Sequence, residues 1–461
     1  MGDIMKLNKK QVTGLLFSIL LCLTAGCSSN GENEKLEEEQ YDAELTIYMD
    51  PISEELIRVT VGDFESSSPF KVKWNLVDCT DMTSKEFRQK LEQDRKKGEG
   101  PDILFLNSFT CTDPNLEMQR ENLLDLTEYI EGLQQEGTLL QHLADACTYD
   151  GKNYLQPICF QLPVFLGLNS VVTEVGFQTE SCSNISGLLG EASRLMEREI
   201  SMFDQPGILE ELVSQYGGAV LIDYDTGELQ TDSPELQKLC EQYQKLYEWD
   251  HSVEERKPGY TSGYQALWNK DAIFTNSHQE YLDYFSIDMQ AANYQDSSVL
   301  LAARGIDEEP SSVITNSAGI WVKTEYPDEA LGFLTSISHV CNYYLYPSSM
   351  PAVEWRIRNM FLGGIPYLQG QTTYDYQLAT YGIPMERYWD KAYAYQEEYL
   401  DLVEAKYPVL FETDVIKAGG IFSQSMEPFW EGSDSYENCL QKLNQKLKSH
   451  LFDETEKEEQ S

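Results

Sequence analysis

Chemistry needs nucleophiles, acids, bases or metal ligands at workable spacing, and this sequence offers few such sets. It has 77 Asp and Glu but only five His, at 142, 251, 278, 339 and 450. No pair of these His has metal-ligand spacing, and no GxSxG, HExxH or P-loop motif occurs. Paired carboxylates of a glycoside hydrolase leave no signature here, because among so many acids almost any spacing arises by chance. Asp223-Tyr224-Asp225-Thr226-Gly227 is similar to the start of a calcium loop. It lacks the third acid and has Pro234 where Glu should stand, so it reads as a hairpin turn. Ten Cys are present, with no CxxC among them. Several sit in apolar runs such as Pro157-Ile158-Cys159-Phe160, where a free thiol behaves as a small hydrophobe. The expectation is a non-enzyme with mostly free thiols and no cofactor or metal.

Binding chemistry is the remaining option, and charge limits it. With 34 Lys and Arg, the formal charge is −43 and the pI about 4.3. That excess argues against nucleic acid, which needs clustered basic residues. It also argues against docking on anionic lipid through a basic patch. Anionic solutes are disfavoured by the field, while neutral or cationic ones are not. Disorder is excluded by a chain that is 41% hydrophobic, with 28 Tyr, 18 Phe and 7 Trp. At 461 residues, two or more cores are expected.

The N-terminus carries an export signal. Lys6, Lys9 and Lys10 precede an apolar run from Val12 to Leu23, which is too short to span a membrane. Thr24-Ala25-Gly26-Cys27 resembles a bacterial lipobox, although Thr24 stands where Leu is usual. The resemblance implies that residues 1–26 are removed and that Cys27 is lipidated. The body is then expected on the extracellular face of the cytoplasmic membrane, held by its lipid. Residues 27–42 read as an acidic tether and 453–461 as a solvated tail.

The body alternates strand and helix signals. Leu45–Met49 is a β-rich run ending in Asp50-Pro51, which starts a helix with Ile57, Val61 and Phe64 on one face. Phe70–Val77 alternates as a strand, Thr83–Lys97 as an amphipathic helix, and Ile103–Leu106 as a buried strand. Tyr154–Asn169 suits a strand that leaves one lobe and enters another. Ser233-Pro234 caps a helix with Leu236, Leu239, Cys240 and Tyr243 facing inward. Further helices begin at Pro327 and Asp434. This order implies an α/β protein with mostly parallel sheets and helices on both faces.

Taken in order, several segments resemble the maltose-binding type of extracellular solute-binding proteins that serve ABC importers. They are Gly100-Pro101-Asp102-Ile103-Leu104-Phe105, Asn122 to Thr127, Tyr149 to Tyr154 with Pro157, and Asp271 to Asn276. The strand ending at Asn169, Gly227 to Glu235 with its helix, Ser317-Ala318-Gly319-Ile320 followed by Lys323, Pro327, Ala330 and Phe333-Leu334, and Glu431-Gly432 complete the set. The resemblance implies a two-lobe periplasmic-binding-protein-like fold of type II, with the ligand in the cleft between lobes. Lobe 1 is expected at 43–156, lobe 2 at 157–312, a return to lobe 1 at 313–347 and a helical region mainly on lobe 2 at 348–452. The crossings are expected near 155–158, 311–316 and 345–350. A monomer capturing a small solute, with carbohydrate favoured, and delivering it to ABC permease subunits is implied. Alternatives are a lipoprotein signalling to a membrane sensor, or an exported glycoside hydrolase.

Ligands of open parallel sheets sit beyond the carboxyl ends of strands. That rule and the resemblance select Asp50, Asn107, Phe160, Gln161, Ser277, Gln279, Tyr281 and Trp321 as ligand-binding residues. Each also has a structural reading: Asp50 as a helix cap before Pro51, Trp321 as core. Tyr and Trp would stack on sugar rings while hydrogen-bonding hydroxyls. The chain departs from relatives in carrying His278-Gln279-Glu280-Tyr281 where Trp is common, and residues 341–425 match poorly.

Overall fold

The computed structural model describes residues 41–161, 164–196, 198, 200–252, 264–276, 296–306, 312–344 and 409–452. β1 (Ala43–Met49), α1 (Glu54–Ser67), β2 (Val72–Asp78), α2 (Ser84–Lys97) and β3 (Ile103–Asn107) alternate as predicted. Thr83 caps α2: its Oγ1 accepts from Glu86 N at 3.3 Å, and its N–H donates to the Glu86 carboxylate at 2.8 Å. Gly98, at φ 78°, then ends the helix in the left-handed region.

After β3 come α3 (Pro114–Gln119), β4 (Gln156–Gln161) and β5 (Val164–Leu168). β6 (Ser201–Phe203), α4 (Ile208–Ala219), α5 (Pro234–Gln244), α6 (Tyr247–His251), β7 (Ala272–Asn276) and β8 (Ser298–Ala302) follow. β9 (Ser312–Ile320), α7 (Pro327–Tyr344), β10 (Val409–Phe411), α8 (Ile421–Trp430) and α9 (Tyr436–Phe452) are the last described elements. Ser233 caps α5 by accepting from Leu236 N at 3.2 Å, with Pro234 in the first turn. The Asp223–Gly227 loop is a hairpin turn, in which Asp223 Oδ1 accepts from the N–H groups of Asp225 and Thr226.

Two sheets result. The first has the order β10-β9-β3-β1-β2, with β4 along the other edge of β9. The second has the order β8-β5-β7-β6. β1 is parallel to β2 and β3, β9 to β10, and β6 to β7. However, β9 is antiparallel to β3 and β4, and β5 is antiparallel to β7 and β8. Both sheets are therefore mixed, where mostly parallel sheets were expected. The reversal follows from the path: β9 arrives from the second sheet and must run counter to β3.

Helices cover both faces of the first sheet. β3 is buried at all five positions, with Ile103 and Phe105 in one core and Leu104 and Leu106 in the other. Burial on both faces explains why its sequence shows no polar alternation. On one face, Trp74 packs between Phe64 of α1 and Phe333 of α7, each ring 5.2 Å away. On the other, Phe87 of α2 meets Tyr48 edge-on at 6.2 Å. The second sheet builds its core on Phe165, Phe203 and Phe274, with α8 and α9 joining α4 and α5 nearby.

The sheet-to-sheet passages differ slightly from the expected crossings. The first falls between Gln161 and Val164, because Gln156–Gln161 is still a strand of the first sheet. The second falls between Ala302 and Ser312. Residues 345–350 lie outside the described residues, yet β10 belongs to the first sheet, so the last passage follows Phe411.

Candidate functional site

β1 and β3 are parallel neighbours, so their carboxyl ends deliver Asp50 and Asn107 to one place. Asp50 Oδ1 accepts from the N–H groups of Ile52 at 2.9 Å and Ser53 at 3.1 Å. Asn107 Nδ2 donates to the same oxygen at 3.2 Å and to Ser53 Oγ at 3.0 Å. Asn316, opposite Asn107 on β9, also donates to Ser53 Oγ, at 3.2 Å. Asn107 Oδ1 holds the next turn by accepting from Phe109 N and Thr110 N. Asp50 is 0% exposed and Asn107 2%. Burial raises the Asp50 carboxyl above its ordinary value, against the opposing pull of its hydrogen bonds. Asp50 Oδ2 and Asn316 Oδ1 are buried acceptors with no hydrogen-bond partner among the described residues.

Beyond this cluster, three strands form a ribbon that leads toward the second sheet. Phe160 and Gln161 on β4 lie opposite Ile314 and Val313, and β10 flanks the other edge. β3 and β10 share that edge of β9 and run toward each other, ending in Ser108 and Glu412. Ser108 hydrogen-bonds the Glu412 carboxylate. Glu211, in the first turn of α4, approaches from the second half. Burial raises both carboxyls, and for Glu211 the Glu412 charge adds to the rise. Arg88 braces the loop by donating to the Ser108 carbonyl at 2.9 Å, the Phe109 carbonyl at 3.2 Å and Asp414 at 3.1 Å.

In the second sheet, the parallel pair β6 and β7 ends in Asp204 and Asn276. Asp204 is buried and accepts from Thr275 Oγ1 at 3.0 Å. Ser277, Gln279 and Tyr281 lie outside the described residues, as does Cys27.

The sequence-predicted residues thus separate into groups. Asp50 and Asn107 meet directly, and Phe160 and Gln161 line the adjoining ribbon, half-buried. Asp50 has no exposed surface, and one of its oxygens holds the turn before α1 by accepting from Ile52 N and Ser53 N, while Ser53 stands at the N-cap of α1. Trp321 does not join them. β9 pairs Asn316 with Asn107 but Ile320 with Ile103, which puts Trp321 at the far end of the sheet, about 14 Å or more away. There it is 4% exposed, against Gly100 and a bridge to Leu123, and serves the core. Sequence reasoning missed Glu211, Glu412, Asp204 and Asn316. For Asp204 and Glu412 a signal existed, since both directly follow short β-rich runs, Ser201–Phe203 and Val409–Phe411. Glu211 sits inside a helical pattern and shows none.

These strand ends carry carboxylates together with amides and hydroxyls that both donate and accept hydrogen bonds.

No family model matches the chain, and none of the curated proteins does either. Solved structures do. The sugar-binding protein MalE of Xanthomonas citri superposes with a TM-score of 0.58 at 13% identity, covering 91% of this chain and 100% of its own. The cyclic alpha-maltosyl-1,6-maltose binding protein of Arthrobacter globiformis gives 0.51 at 15% identity, covering 88% and 98%. Maltose-bound MalE3 of T. maritima gives 0.51 at 13%, covering 88% and 99%. The topology and these superpositions together define the architecture: this chain has the α/β fold of the periplasmic solute-binding proteins.

Proposed function

We propose that this chain is an exported solute receptor that captures a carbohydrate between its two sheet-bearing halves and hands it to an ABC importer. What supports the reading is the polar strand-end cluster of the first sheet, where Asn107, Ser108 and Glu412 adjoin Phe160 and Gln161 on the strand that leads into the second sheet, with Glu211 of the second half close enough to feel the Glu412 charge. Proteins of the same fold bind maltose or cyclic alpha-maltosyl-1,6-maltose. Closure around the solute is a hinge motion, driven only by the solute's tighter binding to the closed state.

The finer parts of the reading rest on sequence. Cys27 carries the lipid that holds the receptor at the extracellular face, with residues 28–42 as tether. With the passages placed as above, lobe 1 takes residues 43–161, 312–347 and the 409–411 strand, and lobe 2 takes 164–302 with the rest of 348–452. Ser277, Gln279 and Tyr281 supply contacts from the second lobe. The maltose-binding subtype within the fold is likewise part of the proposal.

The test is thermal unfolding of the mature chain against mono- and oligosaccharides, amino acids, short peptides and polyamines. A solute at 100 times its dissociation constant stabilises by about 2.7 kcal/mol. That is a shift of roughly 5–11 °C for lobes of this size. A shift confined to related glycans supports the reading. A shift only with polyamines or peptides moves the solute class, and flat curves from a cooperatively folded sample overturn it.

A further inference from the structure

One buried carboxylate is shared between the two halves of the molecule at a point the binding reading does not use. Asp113 follows β3 in the first half and caps α3, with its Oδ1 accepting from Asn115 N at 2.9 Å and Asn115 Nδ2 at 3.0 Å. Its other oxygen looks outward from that turn. Oδ2 accepts from the Tyr224 hydroxyl at 2.5 Å and meets His450 Nε2 at 3.1 Å. Tyr224 belongs to the hairpin between α4 and α5, and His450 to the last turn of α9. Both elements pack in the second half, and Thr231 ties the hairpin to α9 by donating to Asn444 Oδ1 at 2.7 Å.

The joint is closed to water and grips from both ends. Asp113 is 1% exposed, and the His450 side chain 5%. Gln119 Nε2, from the end of α3, donates to the Tyr224 carbonyl at 2.8 Å. Leu116 and Met118 of α3 lie in the same apolar core as Leu447 and Leu451 of α9. Burial and the Asp113 charge push the Tyr224 phenol far up, so it stays a donor at any ordinary pH. A buried carboxylate oxygen needs its donors, and here both are supplied by the opposite half.

We propose that Asp113, Tyr224 and His450 form a latch that holds the two halves at the angle seen here, so that any change of angle must first break it. Asp113 is a positioning residue in this scheme, because one oxygen keeps α3 folded while the other fastens it to the second half. The latch is independent of which solute the molecule takes.

The division of labour within Asp113 allows a clean test. Asp113→Asn keeps an oxygen for the α3 cap but presents an NH2 group to two donors. Tyr224→Phe removes one donor without adding bulk. Solution X-ray scattering of the ligand-free mature protein should show a changed radius of gyration for both variants. Hydrogen exchange should rise about tenfold or more at residues 113–119 and 222–229 together, while β1 and β3 stay protected. The double variant should add little to either single one, because both break the same contact. An unchanged scattering profile in folded variants, with only a lower melting temperature, would reduce the contact to ordinary stabilisation and overturn the latch. Should Asp113→Asn fail to fold, Tyr224→Phe alone decides, since the phenol is not part of the α3 cap.

Discussion

Asn107 and Asp50 stand 57 positions apart in the chain, yet the Asn107 amide donates to the Asp50 carboxylate at 3.2 Å in a site closed to water. The parallel pairing of β1 and β3 makes this contact, and the turn after each strand depends on it. Asp50 holds the 50–53 turn, and Asn107 holds the 107–110 turn.

Removing the Asn107 side chain therefore strands several buried groups at once. Asn107→Ala should lower unfolding free energy by about 2–4 kcal/mol, read from the urea midpoint. Asp50→Asn keeps the accepting oxygen and discharges a carboxyl that burial already disfavours, so it should cost less than about 1 kcal/mol. An Asp50→Asn loss as large as that of Asn107→Ala would mean the charge itself is needed.

Stability should favour mildly acid solution through one cluster in the second half. Asp250 is buried beside Tyr243 and the N-terminus of α4, and burial raises its carboxyl to about 6. A carboxyl raised on folding stabilises fully below its unfolded value and loses that contribution as pH climbs through the folded one. The window is thus about pH 4 to 6, with a loss on the order of 2 kcal/mol. His251 is raised mainly by its hydrogen bond to Glu210, so its contribution also fades as pH rises. Asp250→Asn should flatten the slope of melting temperature with pH between 4 and 6. An unchanged slope would place the titration elsewhere.

Glu117 sits 3% exposed between Arg95 and Arg120, whose charges hold its carboxyl below the ordinary value despite burial. Glu117→Ala removes the carboxylate shared by two partly buried guanidiniums and should cost about 3–5 kcal/mol. Chemical denaturation of that variant at neutral pH checks the figure. A cost under about 1 kcal/mol would show that water reaches both arginines.

The seven cysteines whose side chains are described form no disulfide. Burial pushes the thiols of Cys147 and Cys240 far up, and that of Cys182 to about 12. Iodoacetamide should leave these three untouched in the native protein and modify them in denaturant, as seen by peptide mass spectrometry. Resistance to modification after unfolding without reductant would instead reveal disulfides.

Local patterns carried much of the fold. The caps at Thr83 and Ser233 and the inward stripe Ala330, Leu334, Ile337 depend on neighbours within a turn or two, so the sequence alone shows them. The alternation of strand and helix likewise set the α/β class, and the strand-end rule brought Asp50 and Asn107 to attention. Which strands run antiparallel was not legible, because pairing direction is chosen by chain path over hundreds of residues. That choice reverses β9, and the reversal sends Trp321 to the far end of the sheet while bringing Asn316 beside Asn107. The same long-range pairing points Glu412 at Ser108 and lets Tyr224 and His450 converge on Asp113. None of these residues differs locally from its many acidic and aromatic neighbours. Their distinction is one of distance and burial, which no spacing along the chain encodes.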